Sequence, residues 1–122
     1  MDGLRWTEIS ETEIDLPVLI KKLEQAENGA QVIFTGTVRS KNDRKNVLAV
    51  SYDVHELLTL KCFNKICDEA AKLSPDPLKI VVVHRKGKLS VGEISIFIGV
   101  SSPHRAEAFD ASRYLIEEIK KR

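Results

Sequence analysis

The sequence predicts an α+β domain in which helices pack on a mostly antiparallel sheet. Three observations support this class. Several short segments are rich in β-branched residues and alternate apolar with polar side chains, which is typical of half-buried strands. Other segments repeat apolar residues at helical spacing. Neighbouring strands are joined by loops too short for a helical crossover. The length of 122 residues fits one domain, residues 1–122, with its own core.

The first third of the chain predicts a strand, a helix and a second strand. Residues 4–9 form a short strand. The helix is expected to start at Asp15, a favoured N-cap residue, with a proline in its first turn, and to stop at Asn28-Gly29. Residues 30–39 alternate like a strand, and Gly36 inside it predicts a bulge or a close backbone approach.

The rest of the chain predicts two more helices between further strands. Residues 40–46 are a charged loop before a strand at 47–54. Residues 56–73 carry an apolar helical stripe, and strands are expected at 79–85 and 94–101, separated by a two-glycine loop at 87–93. The last helix is expected to begin at Ser102-Pro103, as N-cap and first residue, and to run to the end.

Composition excludes several classes of function. Nineteen basic and eighteen acidic residues give a net charge of +1, so a broad nucleic-acid-binding face is not expected. The sequence has no apolar run of about 20 residues and no signal-peptide pattern, and we expect a cytosolic protein. Cys62 and Cys67 are expected to be reduced core thiols. The three histidines lack ligand spacing, so neither a metal nor another cofactor is predicted.

Two positions favour anion binding. Arg39 stands at a strand end beside a flexible loop, where its planar fork suits phosphate. His104 and Arg105 fall in the first turn of a helix, whose free N–H groups attract anions. On the residues alone, a solvated strand-end charge is the favoured interpretation of Arg39, and a capped helix with surface side chains is as good an interpretation of His104 and Arg105 as an anion site. A small domain that binds some unrelated anion is one reading of this pattern.

Three segments in register resemble one known family. They are GTVR at 36–39, HRKGKLSVGE at 84–93, and VSSPHR at 100–105 followed by Ala108-Phe109. These segments are similar to the G-x-V-R, H-R-x-G-x-L-x-V-G-E and V-S-S-x-H-R-x-x-A-F motifs of the large subunit of molybdopterin synthase. The resemblance extends over roughly residues 30–122, and the preceding residues match only in general character.

The resemblance implies a fold, a reaction and partners. The fold would be of the α/β hammerhead type with an added antiparallel sheet. The protein would form a central homodimer, with a small ubiquitin-like sulfur-carrier subunit docked at each end to give a heterotetramer. The carrier's thiocarboxylated Gly-Gly tail would supply the sulfur that converts cyclic pyranopterin monophosphate into molybdopterin. No cofactor is implied.

The resemblance also assigns roles to individual residues. It implies substrate contacts at Thr37, Val38, Arg39, His104 and Arg105, with Thr37 and Val38 acting through the backbone. Lys120 matches a lysine of the family that both binds substrate and acts in catalysis. From spacing alone, Lys120 would instead be a frayed terminal lysine that complements the helix dipole.

Helix length constrains how these residues can meet. His104 and Lys120 are sixteen residues apart on one predicted helix, hence about 24 Å along its axis. Either the helix breaks or the site is shared between two copies, and we predict the second arrangement. Family members usually continue into a P-x-W-K-[KR]-E-like segment with a second catalytic lysine, whereas this sequence ends at Lys120-Lys121-Arg122. Either the segment follows Arg122 in a longer chain, or this member lacks it, and in the second case the alternative is a non-catalytic dimer that binds the carrier.

Overall fold

A computed structural model of the chain describes residues 4–42, 45–46 and 49–122. The strands are β1 (Arg5–Ser10), β2 (Ala30–Thr37), β3 (Lys41–Asn42), β4 (Lys45–Asn46), β5 (Ala49–Tyr52), β6 (Lys79–Arg85), β7 (Gly87–Ser90) and β8 (Ile94–Ser102). The helices are α1 (Leu16–Lys22), α2 (Glu56–Ala71) and α3 (Arg105–Lys121). The prediction of an α+β fold is confirmed.

The main sheet has four strands in the order β1-β6-β8-β2. The β6–β8 and β8–β2 pairs are antiparallel, as predicted, whereas β1 pairs with β6 in parallel. Two smaller antiparallel pairs, β3–β4 and β5–β7, complete the described strands. The central strands therefore lie between the two edges formed by β1 and β2.

Both faces of the main sheet are covered by helices. Helices α2 and α3 pack on one face, where Ile80 and Val82 of β6 are buried. On the other face, Leu19 and Leu23 of the α1 region pack against Val81 and its neighbours. A strand buried on both faces needs an apolar run rather than an alternating one, which explains the continuous apolar sequence of β6. Among the described residues, no helix is long and apolar enough to cross a membrane.

Two glycines allow close approaches in the sheet. The predicted irregularity at Gly36 is confirmed, because the β2–β8 register shifts between Gly36 and Thr37. A Cβ at Gly36 would lie 2.8 Å from Cγ2 of Ile96. A Cβ at Gly99 would lie 2.6 Å from Cδ1 of Leu23. Leu23 can therefore reach the sheet only because residue 99 has no side chain.

Helix α1 is shorter than predicted. It ends at Lys22 instead of reaching Asn28, although its predicted N-cap, Asp15, is confirmed by the bond that its side chain accepts from the N–H of Val18. Leu23 is the last residue of this region that is buried on the sheet, and Ala26 is exposed. A further turn would therefore have buried no additional apolar surface.

The prediction of a loop at 87–93 is wrong for its first half. Residues 87–90 form β7, which pairs with β5 and buries Leu89 completely. Gly87 and Gly92 take positive φ angles of 90° and 91°, so the glycines turn the chain at either end of a four-residue strand. The predicted loop at 40–46 contains β3 and β4, and its residues 43–44 lie outside the described residues. The predicted strand at 47–54 is β5, and residues 47–48 also lie outside them.

Candidate functional site

Arg39 is held in place through the backbone of the residue before it. The side chain of Val38 is buried, its N–H donates to the carbonyl oxygen of Glu93 at 3.0 Å, and its carbonyl accepts from the N–H of Gly92 at 2.9 Å. β2 ends at Thr37, so the predicted strand at 30–39 is two residues too long. Thr37 and Arg39 are exposed on either side of this anchor. The N–H and the carbonyl group of Val38 are thus both engaged within the fold.

An ion pair fixes the turn that holds Val38. Arg85 is buried and donates from Nη1 to Oε1 of Glu93 at 3.3 Å and from Nη2 to the carbonyl oxygen of Glu11 at 3.3 Å. The other oxygen of Glu93 accepts from the N–H of Ser90 at 2.6 Å. The bond from Ser90 and then the Arg85 guanidinium lower the pKa of Glu93. Sequence reasoning missed this pair, and its only signal was two opposite charges flanking a two-glycine segment.

Lys120 lies over an aromatic ring at the same end of the sheet as Arg39. Its Nζ is 5.9 Å from the ring centroid of Phe34, five residues before Arg39 on the β2 segment. The next two cations are neutralised: Lys121 pairs with Glu118 at 3.0 Å, and Arg122 pairs with Glu69 at 2.7 Å. Within the described part of the chain, Lys120 has no carboxylate partner. Its ammonium is therefore available to an incoming anion or carbonyl group.

His104 and Arg105 begin the last helix, but the predicted cap is wrong. α3 starts at Arg105 with His104 as its N-cap, and the imidazole makes no capping bond. Ser102 belongs to β8, because the ladder with β2 continues to the Ala30–Ser102 pair, and its hydroxyl accepts from the N–H of His104 at 3.3 Å. The side chains of His104 and Arg105 are both exposed at the helix N-terminus. This arrangement leaves N–H groups of the first turn free for an anion.

The six predicted residues fall into two groups at opposite ends of α3. The helix is continuous over its 17 residues, so the alternative of a broken helix is wrong. Ala30, at the start of β2, pairs with Ser102 at the end of β8, just before α3. Phe34 lies about 13 Å further along β2, under Lys120 near the end of α3. α3 therefore runs in the same direction as β2. One chain places Arg39 and Lys120 at one end, and His104 and Arg105 about 24 Å away at the other.

A cleft lies beside the C-terminal turn of α3. Its volume is about 360 Å³, and its lining includes His55, Cys62, His84, Ile119 and Arg122. The pKa of His84 is lowered by burial, and its Nδ1 donates to the carbonyl oxygen of Arg85 at 2.6 Å. His55 is the N-cap of α2, and its Nδ1 accepts from the N–H of Leu58 at 3.2 Å, so its role there is structural. No group of metal ligands is found among the described residues.

Comparison with known sequences finds one protein family. A model of the family described as MoaE protein matches residues 9–122. A molybdopterin synthase catalytic subunit of Nostoc is 37% identical over 97 residues, covering 80% of this chain and 59% of the relative. The catalytic subunit of Culex quinquefasciatus is 34% identical over 119 residues, with 98% and 76% covered. That of Bacillus subtilis is 36% identical over 113 residues, with 93% and 71% covered. The chain thus spans about three fifths of the Nostoc relative's length.

Solved structures give the same result. The crystal structure of molybdopterin synthase from Staphylococcus aureus superposes with a TM-score of 0.89 at 31% identity, covering all of this chain and 86% of the other. A complex of subunits 1 and 2 of the molybdopterin-converting factor from Helicobacter pylori gives a TM-score of 0.76 at 27% identity, with 93% and 77% covered. The backbone arrangement described above is therefore found in proteins with these names.

Proposed function

The chain belongs to the MoaE protein family, as its three motifs predict, and on that premise we propose that it is the catalytic subunit of a molybdopterin synthase. Residues 1–122 would form one catalytic domain that acts in the cytosol. The observation that carries the proposal is the position of Lys120, a cation without a carboxylate partner among the described residues, over Phe34 and at the Arg39 end of the molecule.

The proposed reaction transfers sulfur from a carrier protein to a pterin. The carrier is a small ubiquitin-like subunit whose C-terminus is a thiocarboxylate, and the acceptor is cyclic pyranopterin monophosphate. At each transfer the thiocarboxylate sulfur forms a C–S bond to a carbon of the pterin side chain while a C–O bond at that carbon breaks, and the displaced oxygen leaves with the opened cyclic phosphate or as water. Hydrolysis of the resulting thioester breaks the carrier's C–S bond, leaves the sulfur on the pterin and returns the carrier as a carboxylate. A second transfer completes the dithiolene of molybdopterin.

Each basic residue has its own role in the proposed sulfur transfer. Arg39 offers a planar guanidinium to the substrate phosphate, with the exposed Thr37 beside it. The N-terminal N–H groups of α3, with His104 and Arg105, supply a second anion-binding element. Lys120 stands beside the carbonyl of the carrier tail, where its ammonium can stabilise the oxyanion that develops during thioester hydrolysis. Val38 contributes by fixing the backbone from which Arg39 projects.

The active site is proposed to contain residues from two copies of the chain. His104 and Arg105 of one copy would face Arg39 and Lys120 of the other, because a single copy holds these groups at opposite ends of α3. A homodimer would then have two such sites, each with a docked carrier, which gives a heterotetramer. The Helicobacter pylori neighbour, a complex of two different subunits, is consistent with carrier binding.

Reconstitution tests the proposal. The chain is mixed with a thiocarboxylated carrier and the cyclic pterin precursor, and molybdopterin is measured. Lys120→Ala should lower the rate about 100-fold, which is the usual contribution of a positioned proton-transfer or electrostatic group. Lys121→Ala is the matched control, since it removes only an exposed lysine paired with Glu118, and its rate should stay within about twofold of the wild type.

Three results would contradict the proposal. An unchanged rate for Lys120→Ala would remove the assigned catalytic role. A wild-type chain that binds the carrier but forms no molybdopterin would instead be the non-catalytic binding module. A wild-type chain with no affinity for the carrier would be an anion-binding domain of another kind.

A further inference from the structure

One carboxylate of α2 ties down the C-terminal half of α3. Glu69 accepts hydrogen bonds from Nη2 and Nη1 of Arg122 at 2.7 Å and 3.2 Å, and from the hydroxyl of Tyr114 at 2.6 Å. The bonds from Arg122 and then Tyr114 lower the pKa of Glu69 to about 2, so the carboxylate is ionised at neutral pH. A two-pronged arginine–carboxylate pair fixes geometry more firmly than a single contact does. Glu69 thus holds α3 at two points about 12 Å apart along its axis.

The tether and Lys120 lie on different sides of α3. Arg122 follows Lys120 by two residues, which is about 200° around the helix, and Tyr114 precedes it by six, which is about 240°. On its own side, Lys120 lies over Phe34 of β2, with Nζ 5.9 Å from the ring centroid. Contacts on different sides of a helix fix its rotation about its axis. The direction in which Lys120 projects therefore depends on the bonds that Glu69 accepts.

The last turn of α3 needs support of this kind. The final carbonyl groups of a helix have no partner within the helix, and its end frays readily. Lys120 is the second-last residue of α3, which ends at Lys121. Its ammonium can occupy one fixed place only while this turn stays ordered.

We propose that Glu69 is a positioning residue for the sulfur transfer and acts through Arg122 and Tyr114 to hold Lys120 over Phe34. Arg122 also lines the cleft of about 360 Å³, so replacing it would change the cleft as well as the tether. Glu69 is not among the described residues that line this cleft, and it is therefore the position at which the tether can be tested. The inference rests on the proposed function for the role of Lys120, whereas the tether itself is independent of it.

Removal of the carboxylate tests the tether. Glu69→Ala breaks the bonds to α3 and leaves Lys120 in the chain. Asp68→Ala is the matched control, since Asp68 is the preceding residue of α2 and pairs with Arg5 of β1 at 2.6 Å. Reconstituted synthesis with a saturating thiocarboxylated carrier gives kcat and the KM for the pterin precursor. Amide hydrogen exchange, measured on the same full-length variants, reports the order of residues 118–122.

Glu69→Ala should lower kcat about tenfold and leave the KM for the pterin precursor within about twofold of the wild type, because Arg39 still binds the phosphate. Amide exchange at the end of α3 should become about tenfold faster. Asp68→Ala should match the wild type in both measurements. Tyr114→Phe keeps the ring and removes one of the bonds, and it should lower kcat about threefold.

A double variant separates positioning from a general loss of stability. Glu69→Ala/Lys120→Ala should be no slower than Lys120→Ala alone, because no ammonium is left to be misplaced. Rate losses that multiply in the double variant would overturn the inference, as would an unchanged kcat in both Glu69→Ala and Tyr114→Phe. Unchanged amide exchange in Glu69→Ala would overturn the tether. If Lys120→Ala itself keeps the wild-type rate, the proposed function fails instead, and hydrogen exchange alone then decides whether Glu69 holds α3.

Discussion

The N–H of Val38 donates to the carbonyl oxygen of Glu93 at 3.0 Å, which ties the residue before Arg39 to the turn between β7 and β8. Glu93 is in turn paired with the buried Arg85. The two ends of the HRKGKLSVGE segment therefore meet, and together they hold the backbone that presents Arg39. Arg85 and Glu93 thus act on the candidate site through the backbone of Val38.

Arg85→Met should destabilise the protein and weaken substrate binding. It leaves Glu93 without its cation and removes the bond to the Glu11 carbonyl, so we expect a loss of about 2–3 kcal/mol in the free energy of unfolding. Urea denaturation measures this loss. Lys121→Ala, which breaks an exposed pair, should cost less than about 0.5 kcal/mol. Equal losses of unfolding free energy in the two variants would mean that the Arg85–Glu93 pair stabilises the protein no more than an exposed ion pair does.

Mixing two inactive variants should restore activity. Lys120→Ala damages one end of α3, and the double variant His104→Ala/Arg105→Ala damages the other. In a mixed dimer, one site receives both damaged ends and the other receives both intact ends. Random exchange makes half of the dimers mixed, so about one quarter of the wild-type rate should return.

The control for this experiment is each variant exchanged with itself, which should stay inactive. Molybdopterin formation is measured after dissociation and reassociation of the dimers. Recovery that is absent although mixed dimers form would mean that each chain carries a complete site. That result would contradict the shared site while leaving the enzymatic function intact.

The sequence predicted those elements whose pattern reflects local burial. The bounds of β6 match the predicted strand at 79–85, and Asp15 caps α1 as expected, because continuous apolar runs and capping residues are local signals. The predicted end of α1 was wrong because the helix ends where Leu23 packs on the sheet at Gly99, a contact between residues far apart in the sequence. Strand β7 was not predicted because Gly87 at its start and Gly92 beyond its end are typical of a loop.

The candidate site was predictable as residue types but not as an arrangement. The family resemblance pointed to Arg39, His104 and Lys120, and helix length alone predicted that His104 and Lys120 lie far apart. The ion-pair partners of these cations could not be predicted from the sequence. Only the three-dimensional contacts show that Lys121 and Arg122 have carboxylate partners, whereas Lys120 lies over Phe34. The start of α3 at His104 was not predicted, because pairing with β2 extends β8 as far as Ser102.

The two cysteines should be dispensable for the reaction. Burial raises the pKa of Cys67 to about 11, so only about one molecule in a thousand carries a thiolate there at pH 8. Iodoacetamide should therefore leave Cys67 unmodified in the folded protein, as peptide mass analysis can check. The double variant Cys62→Ser/Cys67→Ala should keep its rate within about twofold while losing about 1–2 kcal/mol of stability to the cavity at position 67. A complete loss of product in a folded double variant would show that a cysteine handles the sulfur.

Glu69 should make the protein sensitive to acid. Hydrogen bonds from Arg122 and then Tyr114 lower the pKa of Glu69 from 4.5 to about 2. The unfolded chain therefore binds this proton more readily, and the stabilisation is complete above about pH 4.5 and is lost as the pH falls towards 2. Glu69→Gln should be less stable at pH 7 and should show a shallower loss of stability below pH 4.5 in urea titrations. The loss that begins below pH 6.5, from the lowered pKa of the half-buried His84, should be the same in both proteins. Parallel curves below pH 4.5 would mean that the Arg122 and Tyr114 bonds do not favour the ionised carboxylate.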